Sequence, residues 1–225
     1  MASCLLCGRA VAATIDLWTL LNFQPLKVPT LCAACQATFV SISKAKSCPK
    51  CGRLQTDSSI CFDCVRWASE TFSNRALYDY NAAMKTFFSE YKFRGDYRLR
   101  LAFSAELQQT IRKLKVDLII PIPVTQQTLA FRGFNQVCGM LEGVKLTDAL
   151  VYLKQEKTVK QSEKARAERM QTAQPFALTD ASIVVDRRVL IVDDVYTTGR
   201  TIRHAADLIL AAGAKSVQGL TLAHG

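Results

Sequence analysis

Two groups of residues in this 225-residue chain have types and spacings suited to chemistry. The first is Asp193 and Asp194, which end the apolar run "RVLIVDD" and lead into "VYTTGRT". Adjacent like charges repel, so two carboxylates at the end of a strand imply something that needs both. Thr197, Thr198, Gly199, Arg200 and Thr201 then read as the entry to a helix. A helix N-terminus presents unpaired N–H groups and partial positive charge to an anion. The threonine hydroxyls add donors, and Gly199 lets the backbone come close. A phosphate monoester fits this half of the turn. The carboxylates would repel phosphate, but they fit ribose hydroxyls or a Mg²⁺ ion attached to it. A phosphorylated sugar satisfies both halves. No G-x-x-x-x-G-K-[ST] or G-x-G-x-x-G pattern competes for the phosphate. A plain strand-to-helix turn capped by an aspartate would need fewer of these residues.

The second group is cysteine. Eight of nine lie between positions 4 and 64, as the C-x-x-C pairs Cys4/Cys7, Cys32/Cys35, Cys48/Cys51 and Cys61/Cys64. One such turn brings two thiolates to a tetrahedral ion, and two turns close its shell. The first and third pairs repeat as "CLLCGR" and "CPKCGR", each followed by a plainer pair. The repeat favours one zinc on Cys4, Cys7, Cys32 and Cys35 and another on Cys48, Cys51, Cys61 and Cys64. A cross-braced pairing stays open, as do iron–sulfur ligation and redox use. Four thiolates leave no position for water, so both zinc ions would be structural. The stretch is short and poor in large apolar residues, and needs such staples to fold. Cys138 stands alone and reads as a packing thiol.

Behind these groups, the chain divides near residue 73, into a cysteine module (1–72) and an α/β domain (73–225). "RALYDY", "VDLIIPIP", "DALVYLKQ", "RRVLIVDDV" and "KSVQGLTLA" read as strands. Met84, Phe87, Phe88 and Tyr91 share one helical face. "YRLRLAFSAELQQTIRKLK" reads as a second helix. A third runs from Ala130 to Leu141 with a break near Gly133. "GRTIRHAADLILAAGA" is a fourth, stopped by Gly213. Strands alternating with helices predict a doubly wound, mostly parallel sheet whose ligands bind at the strands' carboxyl ends. The charged stretch 154–175 predicts a mobile loop or exposed helix.

The formal charge is +10. Eight thiolates would remove eight charges and two zinc ions restore four, leaving +6, all of it beyond residue 75. That field favours anionic partners. Residues 72–103 hold nine of the 19 aromatic residues, and "YKFRGDYRLR" interleaves rings with cations, as single-strand binding surfaces do. Lys92, Phe93, Arg94, Tyr97 and Arg98, with Arg132, are therefore candidate nucleic-acid contacts, although helical spacing assigns most of these rings to the core. No apolar run reaches the length of a membrane span. "MASCLLCGRA" lacks the features of a signal peptide, so a cytoplasmic location and no lipid anchor on Cys4 are expected.

"VLIVDDVYTTGRT" resembles the phosphoribosyl-pyrophosphate (PRPP) signature of type I phosphoribosyltransferases. "CLLCGR", "CPKCGR", "YKFRGD", "PIPVTQQTLAFRGFNQ" and "LILAAGAKSVQGLTLA" extend the resemblance to the ComF family of competence proteins, over nearly the whole chain. The resemblance implies a type I phosphoribosyltransferase-like fold behind a zinc module. Asp193 and Asp194 would meet the ribose hydroxyls. Thr197, Thr198, Gly199 and Thr201 would hold the 5′-phosphate, with Arg200 adding charge. Pro121–Pro123 would lie near a magnesium-bound pyrophosphate. Arg132 and Gln136 would line the approach, and loop 154–175 would bring Gln161, Arg166 and Arg169. Its "KTVKQ" and "ERMQTA" depart from the family's "KTPPQ" and its arginine-to-asparagine spacing. The resemblance further implies a role in natural transformation: handling incoming single-stranded DNA beside a ComFA-type import helicase at the inner face of the membrane. Recombination-mediator proteins are further candidate partners. No general base is evident, since His204 lies inside a helix and His224 at the chain end. An active phosphoribosyltransferase with an unidentified acceptor is the alternative, and a zinc-dependent adaptor on a non-catalytic platform is a third.

Overall fold

Parallel strands covered by helices on both faces need apolar residues at successive positions, and the run before Asp193 supplies them. It forms β7 (Arg188–Tyr196), buried along nearly its whole length. The computed structural model describes residues 2–12, 21, 29–67, 71–153 and 174–225. Within it, β7 is an inner strand of a four-stranded parallel sheet. β8 (Ser216–His224) lies on one side of β7 and β4 (Leu118–Pro121) on the other, and β3 (Ser73–Asp79) pairs with β8. The order β3-β8-β7-β4 aligns the carboxyl ends of all four strands.

Alternate residues of β7 face two apolar clusters. Leu190 and Val192 pack with α3 (Ala82–Phe88), α4 (Leu101–Arg112) and α6 (Gln136–Met140). Val189 and Ile191 pack with Ile202, Ala205, Ala206 and Ile209 of α7 (Arg200–Ala211). The sheet is therefore wound on both faces, the α/β architecture that the alternation predicts. Gly213, at φ 95°, follows the end of α7. A single π-turn, Ser89–Phe93, extends α3, and a 3₁₀ turn, Tyr97–Arg100, leads into α4.

The expected helix from Ala130 to Leu141 is two helices. α5 (Gln126–Arg132) ends at Gly133 in the left-handed region, and Asn135 caps α6 through its side chain. The strand expected at "DALVYLKQ" does not join the main sheet. β5 (Leu150–Tyr152) instead pairs antiparallel with β6 (Phe176–Leu178). Only one of its residues is fully buried, where an inner parallel strand would bury nearly all. The Leu153 N–H donates to the Pro175 carbonyl at 2.9 Å, so the two ends of the intervening segment are held together. Of the 154–175 stretch only Gln174 and Pro175 are described; Gln161, Arg166 and Arg169 lie outside the described residues.

The cysteine-rich residues wrap the β3 edge of the sheet. β1 (Ala2–Ser3) and β2 (Ala10–Val11) close a hairpin around Cys4 and Cys7. α1 (Ala33–Gln36) carries Cys35, and α2 (Phe62–Trp67) carries Cys64. Between them Ser41 bridges antiparallel to Tyr78 of β3, covering an edge that would otherwise expose unpaired backbone. Cys4 then joins the cluster beneath α3 and α4, whereas Cys48, Cys51, Cys61 and Cys64 join the one beneath α7. Among the described residues, no helix is long and apolar enough to cross a membrane.

Candidate functional site

At the carboxyl ends of the strands lies a cavity of about 440 Å³. Asp193 and Asp194 form its floor at the end of β7, and Thr197 and Thr201 line the helix-entry side. Ile122 to Thr125 line the wall after β4, Tyr80 lies just beyond β3, and Tyr152 comes from β5. Of the seven residues expected to form the phosphosugar turn, Asp193, Asp194, Thr197 and Thr201 line this space. Thr198, Gly199 and Arg200 do not. Gly199 has a structural reason instead. It sits at φ 76°, and a Cβ there would lie 2.1 Å from the Tyr196 hydroxyl oxygen. Any side chain there would be strained in the left-handed region and would have to displace the Tyr196 ring.

Both carboxyls are buried, so their environment sets their charge. Burial pushes Asp193 up to about 8, and the neighbouring Asp194 charge adds to the shift. The Asp194 N–H, which donates to Asp193 Oδ1 at 2.8 Å, and Lys92 oppose it. Lys92 Nζ forms an ion pair with Asp194 and lies 4.3 Å from the Phe88 ring centroid. Asp193 thus holds its proton more tightly than an ordinary carboxyl, and Lys92 already stands beside the pair.

Lys92 belongs to the set expected to contact nucleic acid, but here it turns into the cavity. A signal for this was present in the sequence. Lys92 stands four residues after Phe88 and eight after Met84, on the helix's buried face. Arg132 also lines the cavity and donates to the Gln136 side-chain oxygen. Phe93, Arg94, Tyr97 and Arg98 do not line it. Phe93 is 68% exposed, Tyr97 packs on Phe134, and Arg98 is paired with Asp96. Phe87, Phe88 and Tyr91 are core rings, as their spacing predicts, and Phe103 of α4 is buried with them. Sequence reading missed Thr125, Thr128 and Tyr152. Thr125 caps α5 through an oxygen that accepts from the Thr128 N–H, so "TQQT" after a strand was a usable signal. Burial and the two aspartate charges raise Tyr152. Neither histidine lines the cavity. Burial lowers both, His224 to about 4 against the Tyr196 ring. Cys138 is half-buried in α6, and burial raises it.

The eight clustered cysteines form two groups, Cys4, Cys7, Cys32, Cys35 and Cys48, Cys51, Cys61, Cys64, with the sulfurs of each within 4.8 Å of one another. The arrangement is sequential, not cross-braced. Zn–S bonds of about 2.3 Å in a tetrahedron require S···S separations of roughly 3.8 Å. Cys7 and Cys32 are 3.7 Å apart and Cys51 and Cys61 3.6 Å, so each tetrad fits a tetrahedral ion of this size. Backbone N–H groups point at sulfur in both, from Cys35 to Cys32 and from Cys61 to Cys48, each at 3.4 Å. Four thiolates close the shell, so zinc bound here would support the fold and leave no position for a reacting water.

Residues 103–225 match the phosphoribosyl transferase domain family. Over the full chain, 97% aligns at 37% identity with 98% of the competence protein ComFC of Streptococcus pneumoniae. The chain belongs to the ComFC family. The ComFC of Bacillus subtilis is 32% identical over 97% of this chain and 93% of its own. Competence protein F of Haemophilus influenzae is 24% identical over 84% and 87%. In this ComFC-family chain the phosphoribosyltransferase match begins within α4. It takes in the acidic pair and the helix-entry turn, while Lys92 comes from the π-turn before it.

Proposed function

We propose that this protein handles single-stranded DNA entering the cytoplasm during natural transformation, with PRPP or a similar phosphorylated ribose held in its cavity. The carrying observation is the pairing of chemistries at the end of β7: buried acids beside exposed threonine hydroxyls at the start of α7. Ribose hydroxyls would donate to Asp194, and Thr197, Thr201 and the helix-entry N–H groups would receive the 5′-phosphate. Thr198 and Arg200 would reach that phosphate from the rim. Arg132 Nε is buried without a hydrogen-bond partner among the described residues, a donor suited to a second anionic group such as a magnesium-bound pyrophosphate. Next in sequence to the cavity residues Lys92 and Arg132 are Phe93 and Phe131, 68% and 78% exposed. With Arg94, Tyr97 and Arg98 they offer stacking faces and cations to a single strand. A ComFA-type helicase would hold the protein at the inner face of the membrane, where recombination mediators would take the strand onward.

Calorimetry with PRPP and Mg²⁺ tests the ligand half: wild type binds and Asp193→Asn/Asp194→Asn does not. Titration of a labelled oligonucleotide at several salt concentrations tests the other half, with affinity falling steeply as salt rises. A salt slope near zero sinks the phosphate-contact reading. Active phosphoribosyl transfer is the second reading, favoured by the family match over the acid-bearing turn. Pyrophosphate release in a screen of acceptors would establish it.

A further inference from the structure

Arg203 has a setting that neither the fold nor the proposed ligand explains. It is on α7, only 3% exposed, and among the described residues it pairs with no carboxylate. A buried guanidinium needs compensating charge and acceptors. Its Nε donates to the Tyr196 hydroxyl at 2.9 Å, and an Nη lies 3.6 Å from Cys64 Sγ. The guanidinium also covers the Trp67 and Phe72 rings at 5.0 and 5.5 Å. Four thiolates around a divalent ion carry a net charge of about −2, which is the missing counter-charge.

Two arms then run from this tetrad to the helix-entry turn. In one, Cys64 meets Arg203, Arg203 meets Tyr196, and the Tyr196 hydroxyl lies against Gly199. In the other, α2 carries Trp67 three residues beyond Cys64, and the indole N–H donates to the Thr198 carbonyl at 3.2 Å. The arms end on adjacent residues of the turn. Cys4 of the first tetrad is packed in the cluster under α3 and α4, on the opposite face of the sheet.

We propose that Arg203 is a positioning residue, tying the Cys48–Cys64 tetrad to the turn Thr197–Thr201, so that metal in this tetrad and not in the first sets the shape of the turn. The ligand consequence rests on the phosphosugar reading; the mechanical link does not.

The experiment is amide hydrogen exchange on the full-length, zinc-loaded protein without ligand, with zinc content measured for each variant. In Arg203→Met, exchange of amides 203–205, which donate back to the carbonyls of Gly199, Arg200 and Thr201, should rise by about tenfold or more, the order expected when bonds to a charged group are lost. Chelator-driven release of one of the two ions should accelerate by a similar factor. Cys7→Ser, which disables the first tetrad, should leave exchange of amides 203–205 unchanged. Unchanged exchange in Arg203→Met, or an equal rise in Cys7→Ser, overturns the proposal. If Arg203→Met does not fold, Tyr196→Phe cuts one arm by removing a single hydroxyl, and a turn unmoved in that variant is equally fatal. Wild-type protection of residues 197–201 by PRPP and Mg²⁺, measured in parallel, tests the ligand reading separately.

Discussion

The two cysteine tetrads come from one repeated motif and sit in opposite settings. The first is at the periphery: Cys7 is exposed, and a Cβ on Gly8 would meet nothing within 4 Å. The second is wholly buried, and a Cβ on Gly52 would lie 2.6 Å from the Ala76 backbone nitrogen of β3. Asn74 seals that contact: its N–H donates to the Lys50 carbonyl and its side-chain amide to that of Cys51. Ligand chemistry alone therefore does not define what a metal knuckle does. One staples a terminal hairpin; the other is part of the packing between α7 and the sheet, within reach of the candidate site.

Breaking the two tetrads in turn gives the largest expected contrast. Cys51→Ser should lower the thermal midpoint by on the order of 10 °C or more, or abolish soluble expression, because metal binding in such sites is folding free energy. Cys7→Ser should retain one zinc and a cooperative transition shifted by only a few degrees. Equal losses in the two variants would erase the distinction.

Rising pH should separate the metal sites from the turn that the second one faces. Thiolate ligands bind metal better as protons leave them. Asp193 behaves oppositely. Burial raises its carboxyl to about 8, above the unfolded value, so the folded chain keeps a proton that the unfolded chain releases. That stabilisation is full below about pH 4 and is lost as pH rises through about 8, with a slope of at most about 1.4 kcal/mol per pH unit. Denaturant midpoints at saturating zinc between pH 5 and 8 should show the decline in wild type and not in Asp193→Asn. A flat wild-type profile would mean that Asp193 is already ionised.

The glycines refine the contrast. Both stand at positive φ, so alanine costs about 1–2 kcal/mol at either. Gly52→Ala must also displace β3 and should cost about 2–4 kcal/mol, against about 1 for Gly8→Ala, by equilibrium unfolding. Indistinguishable costs would show that the knuckle is not wedged on the strand. The smallest effect is expected at the half-exposed Arg53–Asp63 ion pair, which joins the buried knuckle to α2 at 2.6 Å. Arg53→Ala should lower stability by less than about 1 kcal/mol, fading with salt.

How much was legible depended on distance along the chain. The acids, threonines and glycine of the turn lie within nine residues, and the local strand–turn–helix order alone indicates an anion site. The four ligand pairs were legible because each is a local turn, and the C-x-x-C-G-R repeat favoured the sequential grouping that the structure shows over a cross-braced one. That Lys92 faces the cavity could be read from the helical stripe it shares with Phe88, while Thr125, which caps α5, and Tyr152 of β5 come from elements far from it in the chain. The partner of β5 was not legible, because three apolar residues specify a strand and not what it pairs with.

By itself the sequence determined the parallel α/β frame, the acidic turn at a strand end and the four C-x-x-C pairs, since all three rest on local periodicity and spacing; how the pairs group into tetrads was decided by the structure. Tertiary structure alone decided that Lys92 neutralises Asp194, that the tetrads lie on opposite faces of the sheet, and that Arg203 joins the second one to the turn. Those are contacts between residues up to 139 positions apart, set by how the strands stack and not by any pattern a short window contains.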